Sequence, residues 1–176
     1  MERLGWGVIG IGNIVQGTMA PAMVAEPGCE LVAAVSRDQG RADDFAAEFG
    51  AAYAYSDYDE MLADDRVEAV IVGVADQYHV SLCMRAIDAG KHVFVEKPLG
   101  VSVEECEELR EKTRNSGLVL QVGNNRRFDP GIAFARKFVD EELGGRMGFK
   151  AWYYDSTYRY TMTDNLQPLV RQSGEA

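Results

Sequence analysis

The run Ala69-Val70-Ile71-Val72-Gly73-Val74 constrains this chain more than any other stretch. It is apolar without alternation, the pattern of a strand covered on both faces. Such a strand belongs inside a sheet flanked by helices, so helical patterns must stand on either side of it. Before it, Leu4 to Ile9 reads as a buried first strand. Ile14, Thr18, Met19, Ala22 and Met23 then suit one face of a helix that stops near Pro27-Gly28. Glu30 to Val35 predicts a second strand, Asp38 to Phe49 a second helix closed by Gly50, and Ala51 to Tyr55 a short third strand. Asp57 and Glu60 form a capping box for a short helix.

After the central run, Val80, Cys83, Met84 and Ile87 recur at helical spacing, and Gly90 supplies a left-handed stop. His92 to Val95 is the next strand. Ser102 and Glu105 cap a helix whose Glu104, Glu105, Glu107 and Glu108 lie at the favourable end of its dipole. Leu118 to Val122 is a further strand, ending at Gly123. Strand-helix alternation kept up over about 120 residues predicts an α/β fold, a Rossmann-type doubly wound parallel sheet. Beyond Gly123 the pattern changes. Asp129-Pro130 opens a helix to about Glu142, Gly144-Gly145 breaks it, and Met147 to Tyr154 resembles a long strand. One helix and one strand cannot build a second core, so residues 124–176 read as the truncated start of a second domain, after a first domain at 1–123.

In that frame Gly10-Ile11-Gly12-Asn13-Ile14-Val15 stands between the first strand and the first helix. Gly10 permits a tight turn, Gly12 lets backbone approach a pyrophosphate, and the amides of Asn13 and Ile14 point at its oxygens. The third position of the fingerprint is Val15, which predicts looser packing of helix on strand there. The competing reading is a plain strand-to-helix turn. The second strand ends in Val35-Ser36-Arg37-Asp38, with Arg41 one helical turn on. A serine and an arginine there suit the 2′-phosphate of NADP, the arginine pairing with it and stacking on adenine, whereas NAD sites favour an acid at this place. Asp38 is one residue late and reads as a helix cap. The expected cofactor is NADP, or NAD.

Lys97 follows the apolar strand His92–Val95 and precedes Pro98. Its ammonium can hydrogen-bond a substrate hydroxyl and relay a proton, as hydride transfer to a nicotinamide requires. Glu96 can orient or tune it, and Pro98 sets the turn, a candidate cis bond. Seen alone, a lysine in a strand-end turn is more often a plain surface residue.

The glycine turn, Ala89-Gly90-Lys91-His92-Val93-Phe94-Val95-Glu96-Lys97-Pro98 and Gly123-Asn124-Asn125-Arg126-Arg127-Phe128-Asp129-Pro130 together resemble the family of glucose–fructose oxidoreductase, inositol dehydrogenase and MocA (Gfo/Idh/MocA). The resemblance covers residues 4–154, and Glu-Lys-Pro is its most specific part. It implies a dinucleotide across the strand ends, Lys97 as the catalytic residue at a sugar, polyol or similar secondary alcohol, and a second α/β domain that carries the substrate pocket. It also implies a homo-oligomer for the full-length protein. Where the family often has Thr-Pro-Asn, this chain has Val74-Ala75-Asp76, followed by the matching His79. Asp76 caps the helix or approaches the nicotinamide ribose. His79 is a structural or cofactor-wall residue rather than a proton donor, and His92 is structural. Asn124 and Arg127 contact the nicotinamide amide or substrate, or anchor the hinge between domains. Catalytic members carry an Asp and His pair further along. Here Asp155 and Asp164 have no following His, which truncation explains most simply.

The bulk numbers exclude other classes. A formal charge of −10 argues against sequence-independent nucleic-acid binding. No apolar run approaches the ~20 residues that span a bilayer, and the N-terminus has no signal-peptide layout, so a cytoplasmic protein without a membrane partner is expected. Cys29, Cys83 and Cys106 are widely spaced, read as reduced structural thiols, and predict no metal site. Two alternatives to the dehydrogenase stay open. One is a non-catalytic dinucleotide-binding regulator or sensor. The other is a stranded fragment whose apolar strand (Phe149, Trp152, Tyr153, Tyr154) invites association.

Overall fold

A computed structural model describes residues 3–143 of the chain. The predicted strand at 147–154 and the aromatic residues on it lie outside the described residues. The chain divides after Gly123 into two compact units.

The first unit is built on a six-stranded parallel sheet in the order β3-β2-β1-β4-β5-β6. Its strands are β1 (Leu4–Ile9), β2 (Cys29–Val35), β3 (Tyr53–Tyr55), β4 (Ala69–Val72), β5 (His92–Val95) and β6 (Leu120–Val122). The central run forms β4, every residue of which is buried. Val70 and Val72 turn to one face, against α3 (Tyr58–Leu62), α4 (His79–Asp88) and α5 (Val103–Ser116). Ile71 turns to the other, against the first helix and α2 (Gln39–Phe49). Full burial of each of these side chains stabilises by roughly 1.5–3 kcal/mol, which is why the run tolerates no polar residue on either face.

Local signals end the helices where the sequence places them. Asp38 accepts from the Arg41 amide at the start of α2, and Gly50 ends it with φ +77°. Asp57 accepts from the amides of Asp59 and Glu60 at α3, and Ser102 from the Glu105 amide at α5. Gly90 takes a positive φ after α4, so Lys91 starts the run into β5.

The first helix departs from the expected face. It contains a wide π-type turn, Val15–Met19, before α1 (Ala20–Ala25), with the Ala20 amide bonding the Val15 carbonyl five residues back. The extra residue rotates the buried stripe, which falls on Val15, Ala20 and Met23. Ile14, Thr18 and Ala22 face solvent instead, because an i to i+5 repeat replaces the i to i+4 repeat that the sequence pattern assumed.

The described part of the second unit holds a short turn of helix, Asn125–Phe128, and α6 (Pro130–Glu141), capped by Asp129 through the Gly131 and Ile132 amides. Stacked rings of Phe134 and Phe138 and the ion pairs Arg136–Asp140 and Lys137–Glu141 lie along α6. No residue of α6 is buried within the described residues.

Candidate dinucleotide site

The strands of the first unit stop together. Ile9 pairs with Val35 on one side and Val72 on the other; Val72 pairs with Val95, and Val95 with Val122. The next residues of each strand therefore emerge on one edge of the sheet: Gly10 after β1, Ser36 and Arg37 after β2, Gly73 after β4, and Glu96 and Lys97 after β5. The chain crosses between β1 and β4, where sequence order reverses, and open parallel sheets form their ligand crevice at that point.

Gly10 has φ +92°, and a Cβ there would collide with the Gly73 carbonyl. No other residue fits the turn. Gly12 faces open space, with nothing within 4 Å of where its Cβ would stand. That is room for a phosphate against the backbone. The first helical bond runs from the Gln16 amide to the Gly12 carbonyl at 2.9 Å, which leaves the amides of Asn13 and Ile14 without an intrahelical acceptor. The open cradle and the spare donors fit a pyrophosphate. Two side chains pin the turn from outside: Arg41 Nη2 donates to the Ile11 carbonyl at 2.8 Å and Gln16 Nε2 donates to it at 3.3 Å.

Val15 does not loosen the packing, contrary to expectation. It is 1% exposed, and a Cβ on Gly73 would strike its Cγ2. The missing glycine of the helix is supplied by Gly73, the residue that follows β4.

At the β2 end, Ser36 Oγ accepts from the Asp38 amide at 3.3 Å. Arg37 is exposed, and among the described residues its guanidinium has no hydrogen-bond or ion-pair partner. At the β5 end, the Lys97-Pro98 bond is cis. The Glu96 carboxylate accepts from the Lys97 amide at 3.1 Å, so it orients the backbone of Lys97 rather than its ammonium. The ammonium is exposed, again with no partner among the described residues. Arg37 and Lys97 stand three strands apart along this edge, about 14 Å at the usual spacing.

Asp76 is not a cap. It lies inside the short turn Asp76–Tyr78, whose capping position is Ala75, and its half-buried carboxylate is without a partner among the described residues. His79 has the bonds of the structural role, one of the two expected for it. It is fully buried, with Nδ1 2.7 Å from the Pro98 carbonyl and Nε2 3.0 Å from the Val74 carbonyl. His92 has a structural bond, its Nδ1 accepting from the Val119 amide at 3.0 Å. In the second unit Asn124 opens the turn Asn125–Phe128, and its carbonyl accepts from the Arg127 amide at 3.1 Å.

The three thiols are unpaired. Burial pushes Cys83 up to about 12, so it stays protonated and packs as a small apolar residue. The residues that sequence reasoning missed are Gly73 and Gln16. The signal for Gly73 was a glycine inside an otherwise branched strand run, the usual mark of a close backbone approach.

Residues 4–124 match the family model described as "Oxidoreductase family, NAD-binding Rossmann fold". The chain belongs to this Gfo/Idh/MocA oxidoreductase family. It is 34% identical over 149 residues to scyllo-inositol 2-dehydrogenase (NAD(+)) of Bacillus subtilis, covering 84% of this chain and 44% of that protein. The crystal structure of KijD10, a 3-ketoreductase from Actinomadura kijaniata in complex with TDP-benzene and NADP, superposes with a TM-score of 0.76 at 33% identity. That match covers 82% of this chain and 46% of KijD10. GenD2 from gentamicin A biosynthesis, in complex with NAD, gives a TM-score of 0.74 at 34% identity over 81% of this chain and 40% of GenD2. The chain thus spans less than half the length of these relatives. Its cofactor class is NAD(P). No helix among the described residues is long and apolar enough to cross a membrane.

Proposed function

We propose that residues 1–123 are the cofactor domain, and 124–176 the start of the substrate domain, of an NADP-preferring dehydrogenase or reductase. Its substrate is the secondary alcohol, or the matching ketone, of a sugar or polyol. One observation carries the reading: the even row of strand ends leaves two cations, Arg37 and Lys97, without a partner among the described residues on either side of the open glycine cradle.

A bound nicotinamide dinucleotide supplies the hydride-transfer chemistry. The chain's residues do the rest. Spare amides of Asn13 and Ile14 hold the pyrophosphate against Gly12, and Arg41 and Gln16 keep the Ile11 carbonyl out of its way. Ser36 and Arg37 hold the 2′-phosphate, with Arg37 as the charged partner. Lys97 donates a hydrogen bond to the substrate oxygen and holds or passes its proton as charge develops there. The relatives support the substrate class by their names alone, which point to an inositol and to a ketone. In the full-length protein the second domain supplies the substrate pocket and the homo-oligomer interface.

Nucleotide fluorescence titrated in parallel with NADPH and NADH tests the reading. NADPH is expected to bind at least about tenfold more tightly, ~1.4 kcal/mol, with the preference lost in Arg37→Ala. Equal binding or an NADH preference would overturn the 2′-phosphate assignment. Failure of the folded chain to bind either would remove the cofactor role of the cradle.

A further inference from the structure

We propose that His79 is the positioning residue for Lys97, acting through the Pro98 carbonyl. The inference rests on the reading above, in which Lys97 serves the substrate oxygen. His79 is the first residue of α4, and its ring is fully buried between two loops that leave neighbouring strands. One loop follows β4 and presents the Val74 carbonyl; the other follows β5 and presents the Pro98 carbonyl.

A carbonyl only accepts, so each of these contacts needs a proton on the ring nitrogen facing it. A neutral imidazole has one N–H and satisfies one carbonyl; an imidazolium satisfies both. The Pro98 contact is the shorter, 2.7 Å against 3.0 Å, which favours assigning the N–H of a neutral ring to Nδ1.

This bond completes a bracket around Lys97. On its N-terminal side the Lys97 amide is tied to the Glu96 carboxylate at 3.1 Å. On its C-terminal side the Pro98 ring fixes φ, and the Pro98 carbonyl is tied to His79. The backbone from which the lysine stem springs is therefore held at both ends. The stem is long and its ammonium has no partner of its own among the described residues, so the position of the root decides where the charge can reach. No other side chain among the described residues donates to the Pro98 carbonyl. His79 is fully buried and out of reach of a ligand in solvent, so it acts on Lys97 through the turn.

The test compares His79→Ala, His79→Asn and His79→Gln in the 176-residue chain, with Cys83→Ala as a control in the same buried face of α4. The Asn side chain places its amide nitrogen where the imidazole has Nδ1, and the Gln side chain where it has Nε2. The readout is the set of NMR resonances of Lys97, backbone amide and side chain, together with the 15N spectrum of the His79 ring. We expect a protonated Nδ1 in the parent, displaced Lys97 resonances in the Ala and Gln variants, parent-like ones in the Asn variant, and no displacement in Cys83→Ala. Unmoved Lys97 resonances in His79→Ala would overturn the proposal. So would equal rescue by Gln and Asn, an equal displacement in Cys83→Ala, or an unprotonated Nδ1. Where the alanine variant loses its fold, the Asn and Gln pair decides alone. None of these readings uses dinucleotide binding, so a failure here leaves the cofactor assignment standing, and the converse holds as well.

Discussion

The two ends of the parallel sheet use the same kinds of side chain in opposite ways. Where β4 and β5 begin, Asp64, Arg66 and Lys91 are all engaged. Asp64 accepts from Arg66 Nε at 2.7 Å, from Arg66 Nη2 at 2.8 Å and from the Tyr55 hydroxyl at 2.8 Å. The Arg66 guanidinium also lies over the Tyr53 ring at 3.5 Å, and the buried Lys91 donates its Nζ to the Asp64 carbonyl at 3.0 Å. Where β2 and β5 end, the guanidinium of Arg37 and the ammonium of Lys97 have no partner among the described residues. Charges bonded to the chain hold strands together, whereas charges left free beside an open backbone cradle are available to a ligand. The lesson is that pairing, more than residue type, separates the structural end from the working end.

The contrast is tested most severely by Asp64→Asn. Its carboxylate is only 6% exposed and carries several charge-assisted bonds, so its loss is expected to cost about 2 kcal/mol in urea unfolding. Affinity for NADPH should not change; a parallel loss of binding would break the division between the two ends. The same residue sets a pH dependence. Bonds from Arg66 hold the Asp64 carboxyl at about 2, below its ordinary 3.8. Its contribution to stability is therefore complete above pH 4 and is lost as the pH falls towards 2. Unfolding free energy should decline over that interval in the parent and decline less in Asp64→Asn.

A smaller effect is expected for Lys91→Met, which keeps the apolar stem and removes the bond to the Asp64 carbonyl. Denaturant midpoints should report a loss of about 1 kcal/mol, again with binding intact. Smallest of all is Lys97→Met at the other end. An exposed, unpartnered lysine contributes within about 0.5 kcal/mol to stability, and thermal unfolding should barely move. A cost as large as that of Lys91→Met would mean that Lys97 is a structural residue after all.

Much of this organisation was legible from residue order because short-range physics determines it. The apolar runs of β4 and β5, the caps at Asp38, Asp57, Ser102 and Asp129, and the stops at Gly50 and Gly90 all work within a few residues of chain. What the residue pattern does not carry depends on distant contacts or on which of several local geometries a turn adopts. The π-type turn at Val15–Met19 has no local signature, and it moved Ile14 to the surface. For His79 the sequence leaves a structural role and a place in the cofactor wall both open, because the residue that engages its Nδ1, Pro98, stands nineteen positions away. The sequence pairs Glu96 with Lys97, and how the turn folds decides whether the carboxylate meets the ammonium or the amide.

The crossing of Val15 and Gly73 bears on how such fingerprints are recognised. What the first helix needs is a certain total volume where it meets the neighbouring strand, and that volume is shared between two positions fifty-eight residues apart. A linear motif reads only one of the two and reports a defect at Val15. A single-site substitution scan has the complementary blindness, scoring each position as intolerant although the constraint acts on their sum. The third glycine of a dinucleotide fold is thus a property of a contact, and a contact can be met from either chain segment.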